Sequence, residues 1–457
     1  MAFQNVDTLN HCDILQIVFN DGIRNQISED YRDWENVKRK RVGSNDAREI
    51  RFLFQDSYGL PAIQFQNPGQ TNRPFPKAKQ ATSNEFTAVL KEIDATIELE
   101  YNLWQRAMRN PTARYLEPLK LEIDSKRMGT ERVLSRALYG SGTGVIGTVL
   151  SIDETNIATG QVELTFDPNA EGFVGWVGAR EQLFAFTPDA TINRSAAAGF
   201  YTLVASAVNR RDGKVTANII DVDGNTITTV ASTGIAPADV LYRNDQCPVD
   251  LTAPVSDYNT ISATFAGLES LTANDGRTVH GITMGGVTAG SREDAQGNAL
   301  DVIFIENALN TAKLAAGEGV YRYNQMCMAP EAHARLVNDR ETSRRFITVE
   351  DTSRGGQHFA YQHRGDTLKT EVSEFVPLNR IYMLPEDKAS KEKVCELHGS
   401  DFQTVKAGSG QSDFLLKPHA NGSYSNMVTS FMQSTVVLIA KQPNAIAVVE
   451  NFTIESM

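Results

Sequence analysis

Few residues of this 457-residue chain have types and spacings that could do chemistry. Gly142-Thr143-Gly144-Val145-Ile146-Gly147 matches GxGxxG, in which glycine lets backbone approach a dinucleotide pyrophosphate at a helix start. Its context is reversed: helical periodicity precedes it and β-type residues follow, so a phosphate would not meet a helix N-terminus. No GxxxxGKS/T loop is present. Asp221-Val222-Asp223-Gly224-Asn225 begins like a calcium loop but lacks the later bidentate glutamate, so a tight hairpin turn is expected at Asp223-Gly224. Asn274-Asp275-Gly276 reads the same way. The seven histidines are dispersed, none in HExxH or beside a GxSxG turn. Cys12, Cys247, Cys327 and Cys395 stand singly, without zinc-site spacing, and are expected to be reduced, buried thiols. No cofactor, metal or catalytic constellation is nominated, and the chain reads as a non-enzyme.

One cluster has a use that needs only charge. Lys38-Arg39-Lys40-Arg41 closes a polar N-terminal segment that also carries Arg24 and Arg32. It could contact the phosphates of nucleic acid, or it could be a solvated face or ion-pair partner for the acidic surplus elsewhere. Whole-chain charge argues against duplex binding as the main task. With 44 Lys and Arg against 56 Asp and Glu the net charge is -12, whereas non-specific duplex affinity comes from cations displacing counterions. The opening Met1-Ala2-Phe3-Gln4 lacks a signal peptide's basic start and apolar core. Apolar runs such as Val436-Val437-Leu438-Ile439-Ala440 fall far below the ~18 residues of a membrane span. A soluble protein is expected.

The elements around these residues follow from periodicity. Ile50, Phe52 and Phe54 alternate in one stretch, and Ile93, Ala95, Ile97, Leu99 and Tyr101 in another, so both read as strands. Between them lies the Pro-rich Asn67–Lys77, and the two stretches read as one long two-stranded loop projecting from the body. An isolated long hairpin is marginal in water, which points to an obligate oligomer. After Pro111, apolar residues take helical spacing through Leu116, Leu119, Ile123, Leu134 and Leu138, and Gly140 supplies the stop. From Gly147 to about Tyr242, short β-rich runs separated by turns suggest a small inserted barrel or sandwich. A helix is expected over Asp301–Ala316 and another from Pro330. The last part, through Arg380–Leu384, Val436 and Ala445–Val449, is strand-rich.

The order of these pieces resembles the Hong Kong 97-type capsid fold of tailed-phage shells and encapsulins, over essentially the whole chain. Leu134-Ser135-Arg136-Ala137-Leu138-Tyr139-Gly140-Ser141-Gly142-Thr143-Gly144 is similar to the helix end of phage capsid proteins that carry a β-insertion directly afterwards. Phe265-Ala266-Gly267-Leu268-Glu269-Ser270-Leu271 before His280-Gly281-Ile282, and Met328-Ala329-Pro330-Glu331-Ala332-His333, resemble stretches of their axial domain.

The resemblance implies an α+β chain: an N-terminal arm at 1–46, an extended loop at 47–101 and the spine helix of a peripheral domain at 102–146. An inserted β-domain at 147–245, an axial domain at 246–376 and returning peripheral strands at 377–457 follow. It also implies a major capsid protein of a tailed double-stranded DNA phage, self-assembling as hexamers and pentamers in the host bacterial cytoplasm into the virion shell. Portal, scaffolding and decoration proteins would be partners, packaged DNA would be held non-specifically, and no membrane would be involved. Arg73, Lys77 and Lys79 near the loop tip could contact acidic groups on neighbouring subunits, although Lys77 and Lys79 read equally as plain solubilising lysines. Some relatives join loop lysines covalently to neighbours, and Lys77 and Lys79 are the positions for it, although no matching asparagine is identifiable. An encapsulin-type compartment, an enzyme with an unrecognised site in the mixed domain, and a tail or baseplate component are the alternatives.

Overall fold

The computed structural model describes residues 38–41, 49–57, 82–100, 129, 132–190, 192–221, 223–243, 264–317, 319–338, 346–351, 356–399, 403–404, 414–418 and 424–454. The architecture is α+β, built from a closed barrel, a seven-stranded sheet, a six-stranded sheet and two hairpins.

The barrel is made by Val145–Asp153, Gln161–Phe166, Gln182–Phe186, Thr202–Asn209, Lys214–Ile220 and Val240–Arg243. All its pairings are antiparallel, and the last strand bridges the first and third to close the ring. Alternation fills its interior: Val162, Leu164 and Phe166 point inward from one strand, Val215, Ala217 and Ile219 from another. The barrel starts two residues before the expected boundary and explains the glycine motif. Gly147 faces the Phe166 ring, where a Cβ would stand 2.1 Å from a ring carbon, and Gly142 and Gly144 both have positive φ in the turn between helix and strand. The expected turn at Asp223-Gly224 is present: the Asp221 carboxylate accepts from the Asp223 and Asn225 backbone N–H groups at 3.0 and 2.8 Å, and Gly224 has φ 85°.

The seven-stranded sheet runs, in spatial order, Ser291–Asp294, Ala447–Glu450, Arg380–Asp387, Tyr321–Met328, Asp366–Val372, Gly356–His363 and Phe346–Asp351. Arg380–Asp387 pairs antiparallel with Tyr321–Met328, so the expected division at residues 376 and 377 cuts through one sheet. Apolar runs identify buried strands, but the choice of partner lies outside any local window. Two layers cover this sheet. Met326, Met328, Ile381, Met383 and Val449 join a core with the helix Val302–Ala316, while Cys327, Tyr382, Leu384 and Val448 join the core that contains the barrel. The helix starts where Asp301 accepts from the Ile303 N–H at 3.2 Å, and buries Val302, Ile305, Ala308, Leu309, Ala312 and Ala316 at three- and four-residue spacing. A nine-residue helix, Pro330–Asn338, contributes Ala332 and Leu336 to the same core. Burial of each leucine-sized side chain here is worth roughly 1.5–3 kcal/mol.

The six-stranded sheet centres on the 17-residue strand Tyr424–Ala440. Its C-terminal part pairs with Cys395–Gly399, whose outer edge carries Lys38–Arg41 in parallel, and residues 427–436 pair with Lys91–Glu100. This corrects the expected loop. The partner of Glu49–Ser57 is Thr82–Val89, not the stretch around Ile93–Tyr101, which belongs to the body sheet. Period-two alternation marks a strand without naming its neighbour. A second correction concerns Asn274-Asp275-Gly276, which is a bend. The hairpin turn follows at His280-Gly281, joining Thr278–Val279 to Ile282–Thr283 with φ 52° and 80° at its two central residues.

Of the expected spine helix, the described part is residue 129 and 132–139, ending at Gly140. It meets the rest of the molecule at a buried charge cluster. Glu269, on the short helix Leu268–Thr272, accepts from Arg380 at 2.5 Å and from the Tyr382 hydroxyl at 3.2 Å, and lies 3.2 Å from Arg292. Arg292 in turn pairs with Glu450 at 2.6 Å. Three strands of the seven-stranded sheet are thereby tied to one helix turn. Burial alone would raise the Glu269 carboxyl, but Arg380 and Arg292 outweigh it and hold it below its ordinary range. Gly267 is required beside it, because a Cβ there would lie 2.1 Å from the Ala137 carbonyl of the spine helix.

Glu269→Ala strips two buried arginines of a shared acceptor, and we expect a loss of about 3–5 kcal/mol, read as a lower denaturant midpoint. Gly267→Ala should lower the midpoint as well by forcing the spine helix away. An unchanged midpoint in Glu269→Ala would remove the cluster from its structural role.

Candidate assembly surface

The sequence singled out two groups of charged residues. Arg73, Lys77 and Lys79 lie outside the described residues. Lys38–Arg41 is placed as the outer edge strand of the six-stranded sheet, its register running Lys38 to Glu396 and Lys40 to His398. Basic residues on a sheet edge resist pairing with a stray strand.

Lys40 is committed locally. Its Nζ lies 2.8 Å from the Glu396 carboxylate, whose other neighbours are Lys441 Nζ at 2.9 Å and His398 Nε2 at 3.2 Å. The Glu396 side chain is 2% exposed, against 37% for Lys40 and 41% for Lys441. Burial pushes its carboxyl up, yet hydrogen bonds from His398, Lys40 and Lys441 together pull it down to about 2. Of the two readings of the basic cluster, ion pairing with the acidic surplus is what the structure shows for Lys40. Glu396, His398 and Lys441 carried no sequence signal: Cys395-Glu396-Leu397-His398 alternates like any half-buried strand, and nothing local marks its polar side as covered.

What covers that side is the root of the hairpin. The sheet face bearing Cys395, Leu397, Val436 and Leu438 lies in the main core. The opposite face, with Val437 and Ile439, packs against Ala88 and Leu90, flanked by Ile50 and Phe52. Phe52 and Phe86 pair across the hairpin at 6.2 Å, and the Phe52 ring meets the His280 imidazole edge-on at 6.4 Å. His280 Nε2 lies 2.8 Å from the Leu438 carbonyl oxygen. Desolvation lowers the imidazole's pKa against the opposing pull of that carbonyl, so the ring is held neutral and the nitrogen donates. The hairpin strands pair only with each other among the described residues. Their root is thus fixed to the body.

Two of the four cysteines fall within the described residues, Cys327 and Cys395, and both are buried and outside any disulfide. Among the described residues no group of three His, Cys, Asp or Glu could hold a metal ion, and no helix is long and apolar enough to cross a membrane.

No protein-family model matches the sequence, and no curated protein matches it. Solved structures do show similarity. A chain of the cyanophage A-1(L) capsid asymmetric unit aligns over 92% of this chain and 90% of its own, with 10% identity and a TM-score of 0.43. The holo-SrpI encapsulin complex from Synechococcus elongatus PCC 7942 aligns over 93% and 89%, with 12% identity and a TM-score of 0.39. A virus-like particle from Pyrococcus furiosus aligns over 95% and 98%, with 7% identity and a TM-score of 0.39.

Glu396→Gln leaves Lys40 without its counter-charge and Lys441 with Glu392 alone, 3.2 Å away, but both lysines can turn to water, so we expect a loss of about 1–3 kcal/mol. Because the folded carboxyl sits at about 2 and an unfolded glutamate near ~4.3, the wild-type contribution is complete above roughly pH 4.3 and fades as pH falls toward the folded value. Denaturant midpoints of both proteins across this range should converge in acid. A constant gap down to pH 2 would contradict the role given to Glu396.

Proposed function

We propose that this protein is a shell-forming structural subunit with the Hong Kong 97-type capsid fold, the major capsid protein of a tailed double-stranded DNA phage. The observation that carries the reading is the hairpin Glu49–Ser57 with Thr82–Val89: anchored at its root, paired with nothing else among the described residues, it is a two-stranded ribbon of a kind marginal in water. A neighbouring copy that covers it makes such a ribbon stable, and a closed assembly supplies a neighbour at every position. The sequence resemblance at the spine-helix end, at Phe265–Leu271 and at Met328–His333 supports the same family.

In this reading copies assemble as hexamers and pentamers around packaged DNA inside the host cytoplasm, with portal, scaffolding and decoration proteins as further partners. Arg73, Lys77 and Lys79 reach toward adjacent copies. Lys38, Arg39 and Arg41 are the members of the basic strand proposed for non-specific phosphate contact, because Lys40 already serves Glu396. A net charge of -12 suits a container that holds DNA by confinement without gripping it.

Expression alone and with neighbouring genes, followed by negative-stain microscopy, should give closed particles of uniform size. Nucleic acid inside particles made in the full gene context supports the phage shell, whereas a packaged enzyme overturns it in favour of a cellular compartment. Open tubes or rings, or only monomers under every salt condition, would overturn the shell reading.

A further inference from the structure

The barrel shares no strand pairing with the other sheets among the described residues, so its pose depends on side-chain contacts. One attachment is to the spine helix, where Arg136 meets the Glu181 carboxylate through both Nη atoms at 2.8 and 3.1 Å, the two side chains being 5% and 10% exposed. The other is to residues 373–379, which connect Asp366–Val372 to Arg380–Asp387 in the seven-stranded sheet. Three hydrogen bonds cross this second junction. Trp176 Nε1 donates to the Phe375 carbonyl at 2.7 Å and Arg210 Nη1 to the Glu374 carbonyl at 2.8 Å, while Asn379 Nδ2 donates in the opposite direction to the Pro168 carbonyl at 2.6 Å.

The connector ends on two adjacent anchors. Asn379 is bonded to the barrel, and the next residue, Arg380, to Glu269 of the buried charge cluster. One planar peptide unit separates them, so a shift of the barrel at Pro168 reaches Arg380 with little slack. Phe375 and Leu378 pack on the main core and Val376 is fully buried, which leaves the rest of the connector little freedom. Arg210 is the part of the junction that can let go. Its guanidinium lies 5.0 Å from the Phe173 ring centroid, and its Nε is 3.0 Å from Glu331 at the start of the helix Pro330–Asn338. Yet Nε, Nη2 and Glu331 Oε2, all buried, make no hydrogen bond among the described residues. Burial pushes the Arg210 pKa down against the pull of Glu331 and Glu374. A buried polar network that is only partly satisfied gains less than a complete one, so this contact opens more readily than the bidentate Arg136–Glu181 pair.

We infer that residues 373–379 are a strap that couples the pose of the barrel to the Glu269 cluster, with Arg210 as its releasable latch. The coupling runs through bonded groups in one continuous path, from Arg210 and Asn379 along the strap to Arg380 and Glu269. With the latch closed, the barrel and the seven-stranded sheet move as one body. With it open, Arg380 loses part of the support that orients it, and the short helix Leu268–Thr272 loosens with it. This property belongs to the single chain and holds whatever the chain assembles into.

The test is amide hydrogen exchange of the full-length chain, read by mass spectrometry. In Arg210→Gln, peptides covering the strap and the helix Leu268–Thr272 are expected to exchange about tenfold faster, an effect of the size found between linked positions. Arg210 makes no bond to that helix among the described residues, so a purely local role leaves the helix at its wild-type rate. Glu331→Gln should speed the same two peptides. Arg194→Gln, which breaks a pair with Asp239 inside the barrel, is the control for weakening the barrel alone and should leave both at wild-type rates. If Arg210→Gln does not fold, Asn379→Ala cuts the strap from Pro168 and carries the same expectation. Faster exchange confined to the barrel, or an equal response of the helix in Arg194→Gln, would overturn the inference.

Discussion

A buried carboxylate holds the parts of this molecule in one frame. Glu269 lies between Arg292 and Arg380 with the Tyr382 hydroxyl on it, and Arg292 carries the connection on to Glu450. Taking three such charges out of water is unfavourable unless each finds its partner, so the cluster tolerates only one relative placement of the short helix and the three strands. The spine helix shares that constraint, because Tyr139 packs on Tyr382 at 5.9 Å and Gly267 allows the Ala137 carbonyl to close in. The barrel is attached to the same helix by the Arg136 pair with Glu181 at 2.8 Å.

From that frame the molecule becomes less self-sufficient toward its edges. The seven-stranded sheet is covered on both faces, and the barrel closes on itself, so neither needs a partner for its central strands. Where Cys395–Gly399 pairs with residues 436–440, the six-stranded sheet is covered on one face by the core and on the other by the hairpin root. Among the described residues the hairpin has a single pairing.

Several elements were legible because their causes are local. Asp301 as a cap with apolar residues at three- and four-residue spacing specifies the helix Val302–Ala316, and Pro330 opens the next one. Alternation in Gln161–Phe166 and turn residues at Asp223-Gly224 specify an antiparallel β-unit between residues 147 and 245. The candidate surface was less legible. Lys38–Arg41 stood out as charge, but its ion-pair partner Glu396 is more than 350 residues away and looks like an ordinary strand residue.

Sequence by itself determined the kinds of element and their order, because propensity, capping, turn chemistry and hydrophobic period act over a few residues. It also determined the acidic balance and the reversed context of the glycine motif. Tertiary structure alone decided which strands are neighbours. The return strand of the hairpin is Thr82–Val89, the stretch after it joins Tyr424–Ala440, and Arg380–Asp387 crosses an expected boundary to pair with Tyr321–Met328. The reason is physical: a strand's pattern states that one face or both must be buried, whereas its partner is chosen by the global competition to bury every such face at once and leave no buried charge alone.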